Sequence, residues 1–428
     1  MKRCAASVLM FTSISGFCQL SNQDTIAQDS VTIELDDPIS RRLDSTFLAY
    51  YFEKEDFTTD TLQLNTFNFQ PNEIPVVPDS IIVERLIRMS EMSPISFSPD
   101  KRTIAFARLY AEKKRRLTSR MLGLAELYFP VFEELLIKNQ MPEELKYLPI
   151  IESALNAKAT SPMGAAGLWQ FMPGTAKQMG LEVSYYIDER RELYQSTEAA
   201  CKYLKDAYNI YKDWHLAIAS YNSGAGNVNK AIRRSNGKTN FWEIIQYLPR
   251  ETQNYVPALL GCAYAMKYHR EHNIYPIEPS RRNFEIDTVW INQRVKFSVV
   301  EKYLKVSIKE LEYLNPAYPK LLVPDTKEDR PLVMPIVYIG LFESNKDSIY
   351  AKSKRSSSLP TDSSPKRTKG EEKNNEREGF IYYTIRKGDT LWDVAQRYDG
   401  VTMDDLKSEN SHLNFKKLKT GTKIRIPK

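Results

Sequence analysis

The sequence predicts a multi-domain protein in which a long all-α domain precedes two small α+β domains of strand, helix, helix, strand (βααβ) order. Apolar residues recur at helical spacing across residues 79–280, with almost no strand signal. Two later stretches, 281–340 and 380–428, each show the βααβ order. Residues 351–379 hold almost no apolar side chain and therefore predict a flexible linker, because they cannot bury enough surface to offset their ordering entropy.

Length and charge limit the function classes only weakly. A chain of 428 residues is long enough for two or three domains with one substantial core. The net charge of +6 fits an anionic cell envelope as well as it fits nucleic acid. The sequence contains no recognisable RNA- or DNA-binding motif, and its basic residues concentrate in the linker. We therefore expect no nucleic-acid partner.

Residues 1–18 predict an export signal. Lys2 and Arg3 precede an apolar run that is too short to span a bilayer. Cys18 raises the alternative of a lipoprotein held at the outer membrane, although Phe17 is bulky where a lipobox has a small residue. We expect an exported protein of the periplasm or cell envelope, with membrane association only if Cys18 is lipidated.

The segment that follows, residues 19–78, is acidic and rich in Thr, Asp and Gln, with no sustained period. This composition predicts a disordered or extended segment. Inside the helical domain, Ser196 or Thr197 is predicted to cap a helix. Residues 188–191, Asp-Glu-Arg-Arg, predict a salt-bridged turn.

Cysteines and histidines give no sign of a metal or a cofactor. The four histidines show no metal-ligand spacing with carboxylates or thiols, so we predict no metal and no cofactor. Cys201 and Cys262 both lie in apolar helical segments. Export permits a disulfide between them, but two small buried core residues fit the pattern as well.

Glu152 is the residue that most strongly suggests chemistry. It lies in the segment Tyr147–Leu155 among isoleucine, alanine and leucine residues, where an apolar side chain is expected. Poor solvation there disfavours the charged form and raises the carboxyl pKa. A carboxylic acid that is still protonated near neutral pH can donate its proton to a leaving oxygen. The alternative is a surface Glu on an amphipathic helix.

Segments downstream of Glu152 carry a family resemblance. They are Ser161, Gly167–Gln170, Met172–Thr175, Ser220–Gly226 and Glu251–Val256. In this order they resemble the catalytic core of lytic transglycosylases, relatives of goose-type lysozyme, with the motifs inside residues 140–270. The resemblance implies a lysozyme-like fold for 79–280. It also implies cleavage of the β-1,4 bond between N-acetylmuramic acid and N-acetylglucosamine of peptidoglycan, with 1,6-anhydro-muramic ends.

The resemblance also assigns roles to side chains. Glu152 is implied to be the general acid and then the base, and the substrate-binding residues are Ser153, Ser161, Gln170, Met172, Tyr221, Asn222 and Tyr255. For Ser153 and Met172, simple packing is an open alternative. A second carboxyl facing Glu152 would instead make the enzyme a hydrolase, a goose-type muramidase; the acids considered are Asp188, Glu189, Glu192, Glu198 and Glu251. A non-catalytic glycan-binding scaffold is the third hypothesis.

The two βααβ stretches resemble lysin motifs, which bind N-acetylglucosamine-containing glycans. Residues 380–428 match along their whole length, and the implied glycan contact is the turn formed by Gly388, Asp389, Thr390 and Leu391. Residues 281–340 lack that turn. They therefore predict a degenerate copy, or a spacer packed on the catalytic domain.

Overall fold

The structure is a computed structural model that describes residues 38–39, 64–277, 286–354, 380–385 and 420–427, with residues 394, 395, 398, 406, 407, 409, 410 and 413. The predicted export signal, residues 355–379 of the predicted linker and the Gly388–Leu391 turn lie outside the described residues. Within these ranges, no helix combines the length and hydropathy that a membrane span requires.

The first domain is helical, as predicted. Its α-helices are α1 Asp79–Glu91, α2 Lys101–Arg108, α3 Arg115–Lys138, α4 Leu148–Ser153, α5 Pro173–Met179, α6 Leu193–Tyr211, α7 Trp214–Ser223, α8 Ala225–Arg234, α9 Phe241–Ile244 and α10 Arg250–Lys267. A π-helical turn, Leu109–Lys113, joins α2 to α3, and a 3₁₀ turn, Glu143–Tyr147, leads into α4.

Helix α10 lies at the centre of this domain, and most of its side chains are buried. Gly261 allows α2 to pack directly on its backbone, because an added Cβ would lie 2.6 Å from the backbone nitrogen of Ala107. A side chain at this position would therefore push the two helices apart. The close packing fixes α10, which carries Tyr255 towards Glu152.

Helix α6 begins earlier than predicted. Glu192 is its N-cap, and the Glu192 carboxylate accepts a hydrogen bond of 2.5 Å from the Gln195 backbone nitrogen. The prediction that Ser196 or Thr197 caps the helix is therefore wrong. Thr197 lies buried in the first turns, where its hydroxyl donates to the Leu193 carbonyl (2.6 Å) and accepts from the Trp169 indole nitrogen (3.0 Å).

The two described cysteines, Cys201 and Cys262, are both free and both buried. Of the two interpretations left open by the sequence, the structure supports small core residues.

The described end of the predicted N-terminal segment, residues 64–78, is irregular and extended along the helical domain. The Tyr275 hydroxyl donates to the Asn65 side chain (3.1 Å), and the Asn273 side chain donates to the Glu73 carbonyl (2.9 Å). Val77 is buried in the helical core. This part fits the extended alternative rather than the disordered one.

His272, next to this segment, is buried with its Nε2 atom 3.1 Å from the Tyr264 hydroxyl. Burial, together with the nearby positive charges of Arg85 and Arg115, lowers the pKa of His272 to about 4. The unfolded chain therefore binds the proton more tightly than the folded one. The contribution of neutral His272 to the free energy of unfolding is fully present above about pH 6.5. It is lost as the pH falls from there towards 4.

We expect His272→Gln to flatten the acid limb of the stability profile. A fall in the pKa of His272 from about 6.5 to about 4 corresponds to roughly 3 kcal/mol in the free energy of unfolding, at about 1.4 kcal/mol per pKa unit. Urea unfolding of both proteins at pH 7.5 and 4.5 measures this loss. An unchanged difference between the two pH values in the variant would show that another group causes the acid sensitivity.

The second domain spans the described residues 286–354 and contains the predicted strand, two helices and closing strand, with two short strands and a further helix in addition. Its elements are β1 Ile286–Ile291, β2 Val295–Lys296, α11 Phe297–Leu304, α12 Ile308–Leu314, β3 Leu322–Val323, β4 Arg330–Pro335 and α13 Ile339–Ser353. Strand β1 pairs with β4 in antiparallel register, with Val289 opposite Leu332.

Helix α13 was not predicted. It begins just before the predicted domain end at 340 and continues into residues 351–353, which were predicted to be linker. Phe342 and Ile349 place it in the same hydrophobic core as the two strands. The Ser353 hydroxyl accepts a 3.1 Å hydrogen bond from the Lys296 backbone nitrogen. This domain therefore extends to the end of α13.

At the C-terminus, β5 Phe380–Thr384 pairs antiparallel with β6 Lys423–Pro427. The Asn410 amide donates to the Leu406 and Arg425 carbonyls, and its oxygen accepts from the Arg425 backbone nitrogen. Asn315 makes the same three bonds in the second domain, with Leu311 and Val333. The shared pattern supports the interpretation of residues 286–354 as a divergent copy of the C-terminal unit.

Candidate active site

Glu152 is buried, with 6% of its surface exposed, near the end of the short helix α4. The helix stops immediately afterwards, because Ala154 and Leu155 both take left-handed backbone angles (φ 50° and 60°). Such angles cost free energy in residues with a Cβ. Both side chains are buried in the core, and this packing holds the turn. Tertiary packing therefore fixes the position of the acid.

Tyr255 reaches Glu152 from the central helix α10. Its hydroxyl donates a 2.5 Å hydrogen bond to Oε1 of Glu152, and both residues are buried. A hydrogen bond to an ionised group is shorter and stronger than one between neutral groups. The phenol therefore orients the carboxyl group and stabilises its charged form.

Replacing Tyr255 by Phe removes this donor and changes little else in shape. We expect kcat to fall by about 10- to 100-fold, since a hydrogen bond to a charged group contributes about 1.5–3 kcal/mol. The rate of glycan cleavage, the activity that the sequence predicts, measures the effect, with Tyr247→Phe, a more exposed tyrosine, as the control. Equal rates for wild type and Tyr255→Phe would contradict an orienting role.

Tyr221 lies close to the same carboxyl group. Its hydroxyl donates to the Trp169 carbonyl (2.7 Å), and its ring packs edge-on against Phe171 and Tyr203. Desolvation raises the pKa of Tyr221 well above its usual value, and the charge of Glu152 raises it further. Tyr221 therefore stays a neutral phenol. Because its proton is directed to Trp169, its oxygen can accept a hydrogen bond from a ligand.

Asn222 is held by the first turn of α10. Its amide oxygen accepts from the Thr252 hydroxyl (2.8 Å), and its amide nitrogen lies 3.4 Å from a carboxylate oxygen of Glu251. Glu251 precedes Tyr255 by four residues, so the two side chains lie on the same side of the helix. The structure thus brings Asn222 and a second carboxylate to the side of α10 that faces Glu152.

Four of the five acids considered as a second carboxyl are engaged with other partners. Asp188 pairs with Arg190 and Arg191, which confirms the predicted salt-bridged turn. Glu189 pairs with Arg330, and Glu198 pairs with Lys138. Glu192 caps α6. Among these five, Glu251 is the one with a contact to a predicted site residue.

Ser153 is completely buried beside Glu152. Its hydroxyl lies 2.9 Å from the Pro149 carbonyl and 2.8 Å from the Leu168 carbonyl. The Ser153 hydroxyl therefore connects α4 by a hydrogen bond to residues 156–172, called here the 156–172 loop. This geometry supports the packing alternative for Ser153 rather than contact with a sugar.

The 156–172 loop carries the other predicted contacts. The half-buried Ser161 hydroxyl accepts from the Ala165 backbone nitrogen (3.0 Å). Gln170 has a left-handed φ of 50°, and its amide nitrogen donates to the Gly167 carbonyl (2.8 Å). Met172 is 41% exposed at the start of α5. The loop is therefore internally bonded and keeps part of its surface available to a ligand.

Two cavities in the described residues lie elsewhere. One of about 660 Å³ is bordered by Phe129, Lys146 and Tyr147, and one of about 510 Å³ lies between the two domains, near Glu192 and Trp290. Glu152 lines neither of them. Glu152 keeps a small exposed edge. Among the predicted contacts, Ser161, Gln170 and Tyr221 are half-buried and Met172 is exposed. A ligand would therefore reach the Glu152 carboxyl group along this edge.

Three family descriptions match the chain. Residues 129–245 match the transglycosylase SLT domain, residues 383–427 match the LysM domain, and residues 285–351 match the LysM-like domain of lytic transglycosylase MltD. The chain contains an SLT domain and two LysM-type domains. The predicted fold class, a helical lysozyme-like domain followed by small α+β lysin-motif domains, is confirmed.

Similar proteins carry matching names. The chain is 32% identical over 305 residues to membrane-bound lytic murein transglycosylase D of Escherichia coli (strain K12), covering 68% of this chain and 61% of that protein. It is 32% identical over 116 residues to the soluble lytic murein transglycosylase of Salmonella typhimurium, and the match covers 26% of this chain and 18% of that protein. The structure of the 70 kDa soluble lytic transglycosylase of Escherichia coli superimposes with a TM-score of 0.31 at 20% identity. The match covers 50% of this chain and 40% of that chain. The chain thus spans less than two thirds of each relative.

Several residues that shape the SLT site were not predicted. Thr252 holds Asn222, and the Leu168 carbonyl ties the 156–172 loop to Ser153. Thr252 lies in the quoted Glu251–Val256 segment, which was the available signal. A backbone carbonyl leaves no signal in a sequence.

Proposed function

We propose that this chain is a peptidoglycan lytic transglycosylase. It cleaves the β-1,4 bond between N-acetylmuramic acid and N-acetylglucosamine and leaves 1,6-anhydro-muramic ends. One observation carries the proposal: inside an SLT domain, a carboxyl group is buried among apolar side chains and is oriented by a buried phenol, Tyr255. The names of the related murein transglycosylases support the same activity and the same polymer.

Glu152 acts first as the acid. Ile150, Ile151 and Leu155, which flank it in sequence, are fully buried, and an apolar wall of this kind makes the charged form costly. Protonated Glu152 transfers its proton to the bridging oxygen as the glycosidic bond breaks. This step is worth about 10²–10⁴-fold in rate. Tyr255 then stabilises the carboxylate that remains, because its hydroxyl already donates to Oε1.

Glu152 acts next as the base. It takes the proton from the C6 hydroxyl of the muramic residue while that oxygen attacks C1 and closes the anhydro ring. Because the attacking oxygen belongs to the substrate, the step is unimolecular and needs no positioned water. One carboxyl group therefore serves both steps, and the net reaction consumes no water.

The neighbouring residues bind the glycan. The Tyr221 oxygen can accept a hydrogen bond from a sugar hydroxyl, since its own proton is donated to the Trp169 carbonyl. Asn222, Ser161 and Gln170 supply polar groups for hydroxyl and acetamido groups, and the exposed Met172 supplies an apolar contact. Gln170 offers its amide oxygen, since its nitrogen is bonded to Gly167 within the loop.

A muramidase is the second candidate, and Glu251 is the observation that favours it. Glycoside hydrolysis by inversion uses two carboxyls about 6.5–9.5 Å apart, with a water between them. Glu251 lies one turn from Tyr255 and contacts Asn222. In a muramidase, it would activate the water.

The mass of the products separates these functions. We expect purified peptidoglycan, digested with the full chain, to give fragments with anhydro ends, each lighter by one water than a hydrolytic fragment. Fragments with reducing ends would instead identify a muramidase. Binding to the wall with no fragment released would identify the glycan-binding scaffold.

The C-terminal LysM domain is proposed to hold the enzyme on the wall. The contact is assigned to Gly388, Asp389, Thr390 and Leu391 by resemblance to lysin motifs. An exported protein of the periplasm or cell envelope fits this substrate, and Cys18 offers a lipid anchor if it is modified. Peptidoglycan strands are the one partner that this proposal requires.

A further inference from the structure

We propose that the LysM-like domain, residues 286–354, is a positioning element of the SLT active site. This inference rests on the proposed function and extends it. The domain holds the 156–172 loop in place through a short hairpin, so cleavage depends on the domain even when the substrate is a soluble glycan strand. Three layers of contacts support this: domain to hairpin, hairpin to loop, and domain to loop directly.

The hairpin, residues 182–189, lies between α5 and α6 of the SLT domain. Val183 and Asp188 form an antiparallel bridge, and the Ser184 backbone nitrogen donates to the Ile187 carbonyl (2.7 Å). The tip of the hairpin inserts into the other domain, since Ile187 is a fully packed member of the hydrophobic core of the LysM-like domain. The hairpin therefore belongs to the SLT chain segment but packs in the second domain.

Charges fix this junction. The Arg330 guanidinium, at the start of β4, pairs with Glu189 and with Glu182 (2.6 Å). The Arg330 and Glu189 side chains are mostly buried, with 18% and 11% of their surfaces exposed. The Asp188 backbone nitrogen also donates to the Ala317 carbonyl of the LysM-like domain (2.9 Å). Removing one member of such a buried pair leaves an uncompensated charge, which is strongly unfavourable.

The hairpin in turn holds the 156–172 loop. The Asp188 carboxylate accepts two hydrogen bonds from Arg190 (2.7 and 2.9 Å) and one from Arg191 (3.1 Å). Arg190 donates to the carbonyls of Gly164 (2.8 Å) and Phe171 (3.1 Å). These bonds connect the hairpin to both sides of the loop that carries Ser161 and Gln170.

Two further contacts complete the link. Arg191 donates to the Thr160 hydroxyl (2.6 Å), next to Ser161. Lys158, within the loop, pairs directly with Glu312 of helix α12 (2.8 Å). The LysM-like domain therefore contacts the loop itself as well as the hairpin beneath it. A shift of about 1 Å in substrate-positioning groups can cost about 10²-fold in rate.

The test uses the full chain and soluble, uncross-linked glycan strands, so that affinity for the intact wall does not matter. Arg330→Met removes the buried cation and keeps the aliphatic stem. Lys346→Met is the matched control, because Lys346 pairs with Glu343 on the surface of α13 in the same domain. We expect kcat of Arg330→Met to fall by about tenfold or more, with unchanged helical circular dichroism and a wild-type rate for the control.

A charge exchange provides an independent test at a more exposed pair. Lys158→Glu and Glu312→Lys should each lower kcat several-fold, and the double variant should recover most of it. A loss caused by either substitution by itself, and not by the broken ion pair, would not be rescued by reversing the pair. If Arg330→Met fails to fold, this series decides the question. Wild-type rates in Arg330→Met and in both single exchanges would overturn the proposal and leave the domain as a spacer.

Two controls separate this proposal from the proposed function. If wild type releases no anhydro product, the proposed function fails, whatever the variants do. Hydrogen exchange of the 156–172 amides then still tests the positioning role, since it needs no activity. Faster exchange of these amides in Arg330→Met than in Lys346→Met supports the role, and equal exchange contradicts it.

Discussion

Glu152→Gln is expected to abolish release of anhydro products, with a loss of at least about 10²–10⁴-fold in rate. The amide has nearly the shape of the carboxylic acid, but it has no proton to give to the bridging oxygen and cannot take one from the C6 hydroxyl. Its oxygen can still accept the hydrogen bond from Tyr255, so the buried site keeps its main contact. The variant should therefore fold, and it should still bind glycan.

Product mass and glycan binding, measured on the same preparation, test this expectation. Glu198→Gln is the matched control, because the Glu198 carboxylate accepts hydrogen bonds from Lys138 and Asn139 rather than from a predicted site residue. The control should cleave at the wild-type rate. Cleavage that persists in Glu152→Gln but disappears in Glu251→Gln would move the acid role to Glu251.

The burial of Glu152 could be predicted from the sequence because its signal is local. A carboxyl among neighbouring isoleucines and leucines is unusual at any position, and burial of Glu152 follows from that pattern. Its partner was reached by resemblance alone. Tyr255 lies 103 residues away, and no local pattern shows that its hydroxyl meets Oε1 of Glu152. Ser153 was assigned to substrate binding by resemblance, with packing as the alternative, and its complete burial fits packing.

The errors in the predicted fold also have physical causes. Helix α13 contains Ser, Asn, Asp and Lys among few apolar residues, so its composition resembles that of the linker that follows. Tertiary burial of Phe342 and Ile349 stabilises it, and a local pattern does not report such burial. Helix α6 was given the wrong cap because Ser196 and Thr197 are preferred cap residues, while the actual cap is the less usual Glu192.

The docking of the two domains could not be predicted either. Arg330 and Glu189 are separated by 141 residues, and each belongs to a stretch rich in other charges. Several other ion pairs between these two stretches would be equally compatible with the sequence. The turn at residues 188–191 was predicted to be salt-bridged, and it is. Its role as the support of the 156–172 loop becomes visible only when the carbonyls of Gly164 and Phe171 are placed beside Arg190.

Gly167→Ala should have the largest effect of any small substitution in that loop. Gly167 has a φ of 84°, and an added Cβ would lie 1.7 Å from the Arg190 carbonyl oxygen. The obstacle is backbone, so no side-chain rotation relieves it. The left-handed angle costs about 1–2 kcal/mol for a residue with a Cβ, and overpacking adds about 1–3 kcal/mol. We expect a loss of about 3 kcal/mol or more in the free energy of unfolding.

The same substitution should also lower activity, because the loop and Arg190 must separate and the bonds to Gly164 and Phe171 then weaken. Gly164→Ala is a close control: its φ is 86°, but an added Cβ would meet no atom within 4 Å. It therefore carries the cost of the backbone angle without the collision. Urea unfolding and cleavage of soluble glycan strands compare the two variants. If they behave alike, contact between the loop and Arg190 does not hold the site, because backbone strain alone would then explain both losses.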